Sequence, residues 1–250
     1  MSRRLVLVAS LLLPLISGPA EAQAPLRAPG IDAADDRVPV DIAQMPWRAI
    51  GKVQSPTGGS CTGTLIGARL VLTAGHCLYQ KALRQLLPVS SLHFLAGVKG
   101  GDFAAHALVI RVEHAPGLLA LLRGESRNLQ DDWAVLVLDQ PLGERFGRLD
   151  LARTPLPPGA KLRTAGFAQD HRLRLMADPD CRALPGAPAS LIGHDCEVTH
   201  GNSGGPLLVQ QDGQWKIAGI VQGQLRYADR APLAVAVDVA VLRDRLAAWQ

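Results

Sequence analysis

The sequence predicts an all-β protein that ends in a helix. Its apolar segments are short, rich in Val, Ile and Leu, and separated by turns that contain Gly or Pro, which is typical of a barrel or a sandwich. A proline-rich stretch over residues 141–158 predicts a connector between two halves. Near the C terminus the apolar spacing changes to three or four residues, which predicts an amphipathic helix over residues 239–249 with Asp238 as its cap.

The strands of the two halves follow from the same pattern of short apolar runs between turn residues. In the first half they are expected at residues 47–53, 62–66, 70–73, 93–97, 106–114 and 133–138. In the second half they are expected at residues 161–167, 206–211, 215–222 and 233–239. Residues 81–87 fit either a short helix or a loop, whereas residues 115–130 have no clear period and are predicted to be a loop.

The N terminus has the organisation of a secretory signal peptide over residues 1–22. A basic start precedes a mostly apolar run over residues 5–16, and an A-x-A site predicts cleavage after Ala22. The alternative, a membrane anchor, is disfavoured because a helix needs about 20 apolar residues to span a bilayer. Residues 23–36 are rich in Ala and Pro and are predicted to be a flexible leader or propeptide, with order from about residue 37.

Composition and charge exclude several classes of protein. The 250 residues carry a formal net charge of +4, and removal of the signal peptide leaves 24 basic and 21 acidic residues. This mild charge forms no basic stripe, so nucleic-acid binding has no support. A hydrophobic content of 48% is enough to bury a full core, in one domain or in two halves that share an interface. No membrane association is expected after signal cleavage.

Four cysteines remain after signal cleavage, and their even number in an exported chain predicts two disulfides. They are Cys61, Cys77, Cys181 and Cys196, and their spacing alone leaves three pairings open. The alternative is a metal site built from Cys and His. Because the chain contains no C-x-x-C or H-E-x-x-H spacing, zinc is disfavoured.

Three polar residues beside strand-like segments predict nucleophilic catalysis. His76 follows one predicted strand, Asp132 precedes another, and Ser203 lies in a glycine-rich stretch before a third. A serine hydroxyl needs a base beside it, and histidine, with an ordinary pKa of about 6.5, suits that role. A buried carboxylate then fixes the tautomer of the imidazole. The glycines allow the backbone N–H groups of Gly201 and Ser203 to hold a reacting carbonyl oxygen.

These stretches resemble the three sequence motifs of trypsin-like serine proteases of the chymotrypsin fold. Residues 73–77 read T-A-G-H-C, residues 132–135 read D-W-A-V, and residues 201–206 read G-N-S-G-G-P, in the order that this family uses. The sequence looks closest to bacterial secreted members near the glutamyl endopeptidase-like group. The resemblance implies two six-stranded antiparallel β-barrels, over about residues 37–143 and 159–240, with the active site in the cleft between them.

Over residues 37–250 the resemblance also implies a role for each candidate residue. His76 is the general base and then the acid, Asp132 orients it, and Ser203 attacks the carbonyl of the substrate. Asp131 competes with Asp132, but in this family the aspartate directly precedes the Ile or Trp that opens the strand. The N–H groups of Gly201 and Ser203 form the oxyanion hole, and no metal or organic cofactor is implied. Family position pairs the cysteines as Cys61–Cys77 and Cys181–Cys196.

The motifs specify the substrate pocket less fully. Glu197 stands six residues before Ser203, where trypsins place the acid that binds Arg or Lys; the alternative is a loop carboxylate beside Cys196. Thr199 and His200 lie near the same pocket and can favour an acidic side chain. The family's disulfide that braces this pocket is missing, because no cysteine follows Ser203. The segment on which a substrate backbone adds as a strand matches Gln222, Gly223 and Gln224.

The sequence therefore predicts a secreted or periplasmic serine endopeptidase that acts on polypeptides as a monomer. Two alternatives stay open: a non-catalytic protease homologue that acts as a binding module, and an esterase that uses the same triad. Asn202 stands where animal trypsins have an aspartate that pairs with a new N-terminal ammonium. Because an amide offers no charge to offset a buried ammonium, we expect Asn202 to hold the oxyanion loop through hydrogen bonds within the folded chain.

Overall fold

A computed structural model describes residues 30–31, 35–56, 59–225, 232–243 and 246. Within them the chain forms two β-barrels, as the resemblance implies, with few and short helices. The predicted signal peptide, most of the predicted leader and most of the predicted terminal helix lie outside the described residues. None of the helices in the described part of the chain is long and apolar enough to cross a membrane.

The first half of the chain builds a closed, six-stranded antiparallel barrel. Nine strands lie in the described residues of this half of the chain, and six of them form the barrel. The nine strands are β1 (Val38–Pro39), β2 (Ile50–Gln54), β3 (Ser60–Leu65), β4 (Leu70–Thr73), β5 (Tyr79–Gln80), β6 (Gln85–Leu86), β7 (His93–Ala96), β8 (Ala105–His114) and β9 (Ala134–Leu138). The barrel order is β2-β3-β4-β9-β8-β7, and β2 pairs with β7 to close it. Strands β5 and β6 form a separate hairpin, and β1 pairs with the second half of the chain.

The second half builds the other barrel, which is also six-stranded. Its strands are β10 (Lys161–Gly166), β11 (Met176–Leu184), β12 (Leu191–His194), β13 (Pro206–Gln211), β14 (Gln214–Leu225) and β15 (Leu233–Asp238). They follow the order β11-β10-β13-β14-β15-β12, and pairing of β11 with β12 closes the ring. Strand β1 pairs with β11, so the first strand of the described residues belongs to the second barrel although its residues fall in the range expected for the first.

Helices are short and lie between strands. They are α1 (Leu118–Leu122) and α2 (Leu142–Phe146), with single 3₁₀ turns at Trp47–Ala49, Gly75–Leu78, Lys81–Leu83, Val89–Ser91, Leu129–Asp131 and Val239–Leu242. The carboxylate of Asp238 accepts a hydrogen bond of 2.8 Å from the N–H of Ala240, which is the predicted cap. Leu242 is fully buried in a hydrophobic cluster that contains core residues of both barrels, so the last described turn packs onto that shared cluster.

The apolar pattern misses several elements, among them β11, β12 and α1, each for a local reason. Strand β11 contains Pro179 and charged residues, and β12 has only four residues, so neither shows a clear apolar alternation. The predicted loop over residues 115–130 is partly wrong because it contains α1, whose five residues are too few to show a helical period. Residues 81–87 form a 3₁₀ turn and the second strand of the β5–β6 hairpin.

Candidate active site

His76 and Asp132 are placed by the ends of two paired strands. Strands β4 and β9 are antiparallel neighbours in the first barrel. His76 lies in the turn after β4, and Asp132 lies two residues before the start of β9. One carboxylate oxygen of Asp132 accepts a hydrogen bond of 2.7 Å from the backbone N–H of His76. The other lies 2.7 Å from Nδ1 of the ring. This arrangement fixes the ring and its tautomer and leaves Nε2 to accept a proton.

The surroundings of His76 favour its protonated form. Burial of the ring lowers its pKa, but the charge of Asp132 and the hydrogen bond to it raise the pKa more, whereas nearby Lys81 lowers it. The net result is a pKa above the ordinary value of 6.5. Asp132 is only 5% exposed, so its charge is poorly screened by water. The carboxylate therefore stabilises the imidazolium that forms when the ring takes a proton.

Gly75 is required by the packing beneath this pair. A Cβ on Gly75 would lie 2.3 Å from Cδ1 of Leu118 and 3.2 Å from Oδ1 of Asp132. Leu118 is fully buried at the start of α1. The helix that the sequence pattern misses thus supports the turn that carries His76.

Ser203 lies in the loop between β12 and β13, and glycines set the shape of this loop. Gly201 and Gly204 have φ angles of +96° and +79°, which residues with a Cβ rarely adopt. A Cβ on Gly201 would lie 2.2 Å from the carbonyl oxygen of Phe167, and a Cβ on Gly204 would lie 2.2 Å from Oγ1 of Thr73. Among the described residues no group accepts a hydrogen bond from the N–H of Gly201 or Ser203, so both are free to bind an oxyanion.

Asn202 makes the hydrogen bonds that the sequence predicts for it. Its side chain is buried, and its Oδ1 accepts a hydrogen bond of 3.1 Å from the N–H of Thr199. Its own N–H donates to the carbonyl of Thr199 at 3.1 Å, and its carbonyl accepts from the N–H of Gly205 at 2.8 Å. The loop before and after Ser203 is therefore tied together through a neutral amide.

Thr62 connects this loop to the first barrel. Its hydroxyl donates to the carbonyl of Gly201 at 2.8 Å and accepts from the N–H of Phe167 at 3.0 Å. Its backbone N–H donates to the carbonyl of Ser203 at 2.9 Å, and its carbonyl accepts from the hydroxyl of Thr73 at 2.8 Å. Thr62 is fully buried, so all of these bonds are shielded from water. One residue of β3 thus holds the two sides of the cleft in register.

Gln222 contacts both the aspartate and the serine. Its side-chain amide donates to the backbone carbonyl of Asp132, and its own carbonyl accepts a hydrogen bond of 3.3 Å from the hydroxyl of Ser203. Within the described residues the hydroxyl of Ser203 makes no hydrogen bond to His76. Both side chains line the same cleft, and in free proteases the serine–histidine bond is often long until substrate is bound.

The cleft between the barrels encloses a cavity of about 330 Å³. Of the residues predicted for the pocket, all except Glu197 line this cavity, together with His76 and Ser203. Lys81 from the first barrel, and Val198 and Val221 from the second, complete the lining. No carboxylate lines the cavity within the described part of the chain.

Glu197 points toward the N-terminal segment instead. Its side chain is buried, and one carboxylate oxygen accepts a hydrogen bond of 3.3 Å from the N–H of Asp36. Its own N–H donates to the carboxylate of Asp178 at 2.8 Å. The carboxylate that the sequence count assigns to the pocket is therefore absent from the cavity lining and anchors the chain before β1.

The same N-terminal segment is fixed by a buried arginine. The guanidinium of Arg37 is 1% exposed and lies 2.8 Å from a carboxylate oxygen of Asp35 and 2.6 Å from one of Asp170. These contacts hold the pKa of Asp170 below its usual value although burial alone would raise it. Gly30 lies against the carbonyl of Val198, a wall of the cleft. The boundary expected at residue 37 thus falls inside a segment that is packed on the second barrel.

The cysteines pair as the family position implies. Cys61 bonds to Cys77 and Cys181 bonds to Cys196. Two clusters of metal-binding residue types contain these bridged cysteines, whose sulfurs are consumed by the disulfides. The third cluster contains Asp35 and Asp170, which already bind Arg37. None of the three fits a metal ion.

Comparison with known proteins assigns the family. The family model described as Trypsin matches residues 36–246, so the chain belongs to the trypsin family and is a serine-type endopeptidase. Serine protease SP24D of Anopheles gambiae is 26% identical over 220 residues, covering 81% of this chain and 73% of that protein.

Two further matches are proteins named as glutamyl endopeptidases. The glutamyl endopeptidase of Bacillus licheniformis is 43% identical over 133 residues, which cover 51% of this chain and 40% of that protein. A solved structure, described as Glu endopeptidase in complex with MPD, superposes with a TM-score of 0.73 at 20% identity, over 88% of this chain and all of that chain. This structural match confirms the two-barrel fold.

Three functional features escape sequence reasoning. Thr62, Lys81 and Leu118 lie outside the three motifs, and their residue types are common in strands, hairpins and cores. For Thr62, the one local signal is its position directly after Cys61, because the bridge from Cys61 to Cys77 brings this part of β3 close to His76. Lys81 and Leu118 give no signal that separates them from surface and core residues.

Proposed function

We propose that this protein is an exported endopeptidase that cleaves peptide bonds through His76, Asp132 and Ser203. The observation that carries the proposal is the double contact of Asp132 with His76, at 2.7 Å to both its backbone N–H and its ring, beside Ser203 in one cleft. A carboxylate held this way orients the ring and stabilises its charged form. A histidine with a purely structural role in the core would not require a serine with glycines on both sides in the same cleft.

The reaction follows from these positions. The hydroxyl of Ser203 attacks the carbonyl carbon of the substrate while Nε2 of His76 takes its proton. The negative charge on the carbonyl oxygen is held by the N–H groups of Gly201 and Ser203. His76 then gives the proton to the leaving amine, and an acyl group stays on Ser203. Water, activated in turn by His76, releases the acyl group and restores the serine.

The chemistry of the cleft supports cleavage after an acidic side chain rather than a basic one. Glu197 is engaged with Asp36, and the lining contains the cation Lys81, the imidazole of His200 and the hydroxyl of Thr199. A carboxylate of the substrate would meet a positive charge there, whereas an arginine would meet no carboxylate among the described residues of the lining. The name of the glutamyl endopeptidase relative agrees with this preference.

Export is part of the proposal. It rests on the signal-peptide pattern of residues 1–22 and on two disulfides, which form in oxidising compartments. Both would stabilise the cleft outside the cell, since Cys61–Cys77 lies directly beside His76 and Cys181–Cys196 precedes the loop of Ser203.

The experiment compares wild type with Ser203→Ala on matched peptides that carry Glu, Ala or Arg before the scissile bond. Wild type is expected to cleave the Glu peptide best, and Ser203→Ala to lose about 10⁶-fold in kcat. Comparable hydrolysis by Ser203→Ala would refute the triad, and faster cleavage of the Arg peptide would refute the acidic preference alone. A peptide ester assayed beside each amide separates an esterase, which would turn over only the ester, from an endopeptidase.

A further inference from the structure

Two histidines face each other on the outer surface of the first barrel, outside the catalytic cleft. His93 lies on β7 and His106 on β8, and the register places His106 opposite Leu95, two positions along from His93. Residues of this spacing share a face of the sheet. Phe94 between them is fully buried, so the two imidazoles project from the opposite, outer face.

The two rings approach closely with their nitrogens toward each other. Nδ1 of His93 lies 2.7 Å from Nε2 of His106, and the ring planes are 27° apart with centroids separated by 4.9 Å. A neutral imidazole carries one hydrogen and one free lone pair. The two nitrogens form a hydrogen bond in this structure; when the hydrogen of each ring is on its outer nitrogen, both inner nitrogens have a free lone pair.

We propose that His93 and His106 form a binding site for a divalent transition metal that prefers a square-planar set of ligands, Cu²⁺ above all. With metal–nitrogen bonds of about 2 Å, adjacent ligands lie about 2.9 Å apart at right angles but about 3.3 Å apart in a tetrahedron. The observed 2.7 Å is close to the first value. Cu²⁺ also binds nitrogen ligands most tightly of the divalent first-row ions, and water supplies the remaining positions.

The neighbouring residues fix the backbone of β8 beside the pair. The side-chain amide of Gln140 donates to the carbonyl of His106 at 3.1 Å, and Asp139 accepts from the N–H of Leu108 at 2.9 Å. The ring of Phe103 lies 6.1 Å from that of His106 and covers one side of it. Binding needs no redox partner: the hydrogen shared between two neutral rings moves to the outer nitrogen of its own ring, and both inner nitrogens bind the ion.

The test is titration of the untagged full-length protein, stripped of metal with a chelator, with CuCl₂ at neutral pH. We expect one Cu²⁺ to bind per chain, with electron paramagnetic resonance showing hyperfine coupling to two nitrogens. His93→Gln and His106→Gln should each weaken binding at least tenfold and remove one nitrogen from the spectrum. His114→Gln, on the same strand β8, is the matched control and should bind as wild type.

Thermal unfolding without metal checks that each variant is folded. Unchanged affinity in either single variant, or a spectrum with no second nitrogen, would overturn the site. Neither histidine lines the catalytic cleft, so peptide hydrolysis should be the same in all three variants, and a failure of the proposed protease activity would leave this titration unaffected.

Discussion

The two halves of the candidate catalytic centre are positioned in different ways. His76 and Asp132 are carried by the ends of neighbouring strands, and the ladder between β4 and β9 sets their distance. Ser203 lies in a loop that depends on glycine conformations and on bonds made by Asn202 and Thr62. The base is thus organised by regular structure, whereas the nucleophile is organised by individual contacts. Substitutions should separate these two modes.

Among the residues that position His76 and Ser203, the largest effect is expected from Asp132→Asn, which removes the charge but keeps the shape. The amide can stabilise the wrong tautomer of His76 and cannot stabilise the imidazolium, so kcat should fall about 10⁴-fold. Steady-state kinetics measure the loss, and circular dichroism should show an unchanged fold because the strand ladder stays intact. A loss below tenfold would contradict the role given to Asp132.

The same variant should shift the pH profile. Asp132 raises the pKa of His76 above its ordinary value of 6.5. Because protonated His76 cannot act as a base, the activity of wild type should fall as the pH decreases through that raised pKa. Without the charge of Asp132, burial of the ring remains as the main influence and lowers the pKa. The acid limb of kcat/KM in Asp132→Asn should therefore move to lower pH. A shift to higher pH would contradict this assignment.

The next effect tests the glycine-dependent loop through Gly204→Ala. Its φ is +79°, and the new Cβ would meet Oγ1 of Thr73 at 2.2 Å and the carbonyl of Thr62 at 2.3 Å. The strained φ alone costs about 1–3 kcal/mol, and the clash adds to it. Gly213→Ala is the matched control, because Gly213 has a φ of +73° with open space around it.

Chemical denaturation of both variants separates the two contributions. Gly204→Ala should lose clearly more free energy of unfolding than Gly213→Ala, and it alone should lose activity. Equal losses in the two variants would show that close packing around Gly204 is not what holds the loop of Ser203.

A smaller effect is expected from Thr62→Val, which tests the bond between the barrels. The variant keeps the shape of the side chain but leaves the carbonyl of Gly201 and the N–H of Phe167 without their hydrogen-bond partner. Each buried group left unpaired should lower the free energy of unfolding by about 1–3 kcal/mol. If Thr62 positions the oxyanion loop, kcat should fall about 10-fold or more with little change in KM. Thr62→Ser keeps the hydroxyl and should restore kcat; loss of stability with unchanged kcat would make Thr62 merely structural.

The smallest effect concerns Lys81, whose charge lowers the pKa of nearby His76 and which lines the same cleft. Lys81→Glu should reduce the preference for a Glu peptide over an Ala peptide by about fivefold, as expected for one exposed charge worth about 1 kcal/mol. Lys99→Glu, an exposed lysine outside the cleft lining, is the control. An unchanged ratio of kcat/KM in Lys81→Glu would exclude this lysine from substrate selection.

The sequence predicts features that depend on local pattern and misses those that depend on distant contacts. His76, Asp132 and Ser203 stand in short motifs with small residues around them, so their roles are visible without a structure. The side chain of Glu197 is different, because its partner Asp36 is 161 positions away and no local rule selects that contact over the pocket. Thr62 reads as an ordinary strand residue until the second barrel is placed beside it.

The fold shows the same division. Strands that are continuous apolar runs, such as β9, are predicted closely, whereas β11 is missed because Pro179 and its charged neighbours interrupt the apolar residues. Its place in the sheet comes from pairing with β10 and β12. The N-terminal segment is a third case: its Ala- and Pro-rich composition predicts flexibility, and only the burial of Arg37 between Asp35 and Asp170 shows that part of it is fixed.

The claim that Ser203 is a nucleophile activated by His76 is tested most directly by covalent labelling. A fluorophosphonate probe is incubated with wild type, His76→Ala and Ser203→Ala, and the labelled peptide is mapped by mass spectrometry. We predict a single adduct on Ser203 in wild type, labelling slowed by several orders of magnitude in His76→Ala, and none in Ser203→Ala. An adduct on another residue, or equal labelling of Ser203→Ala and wild type, would contradict the mechanism.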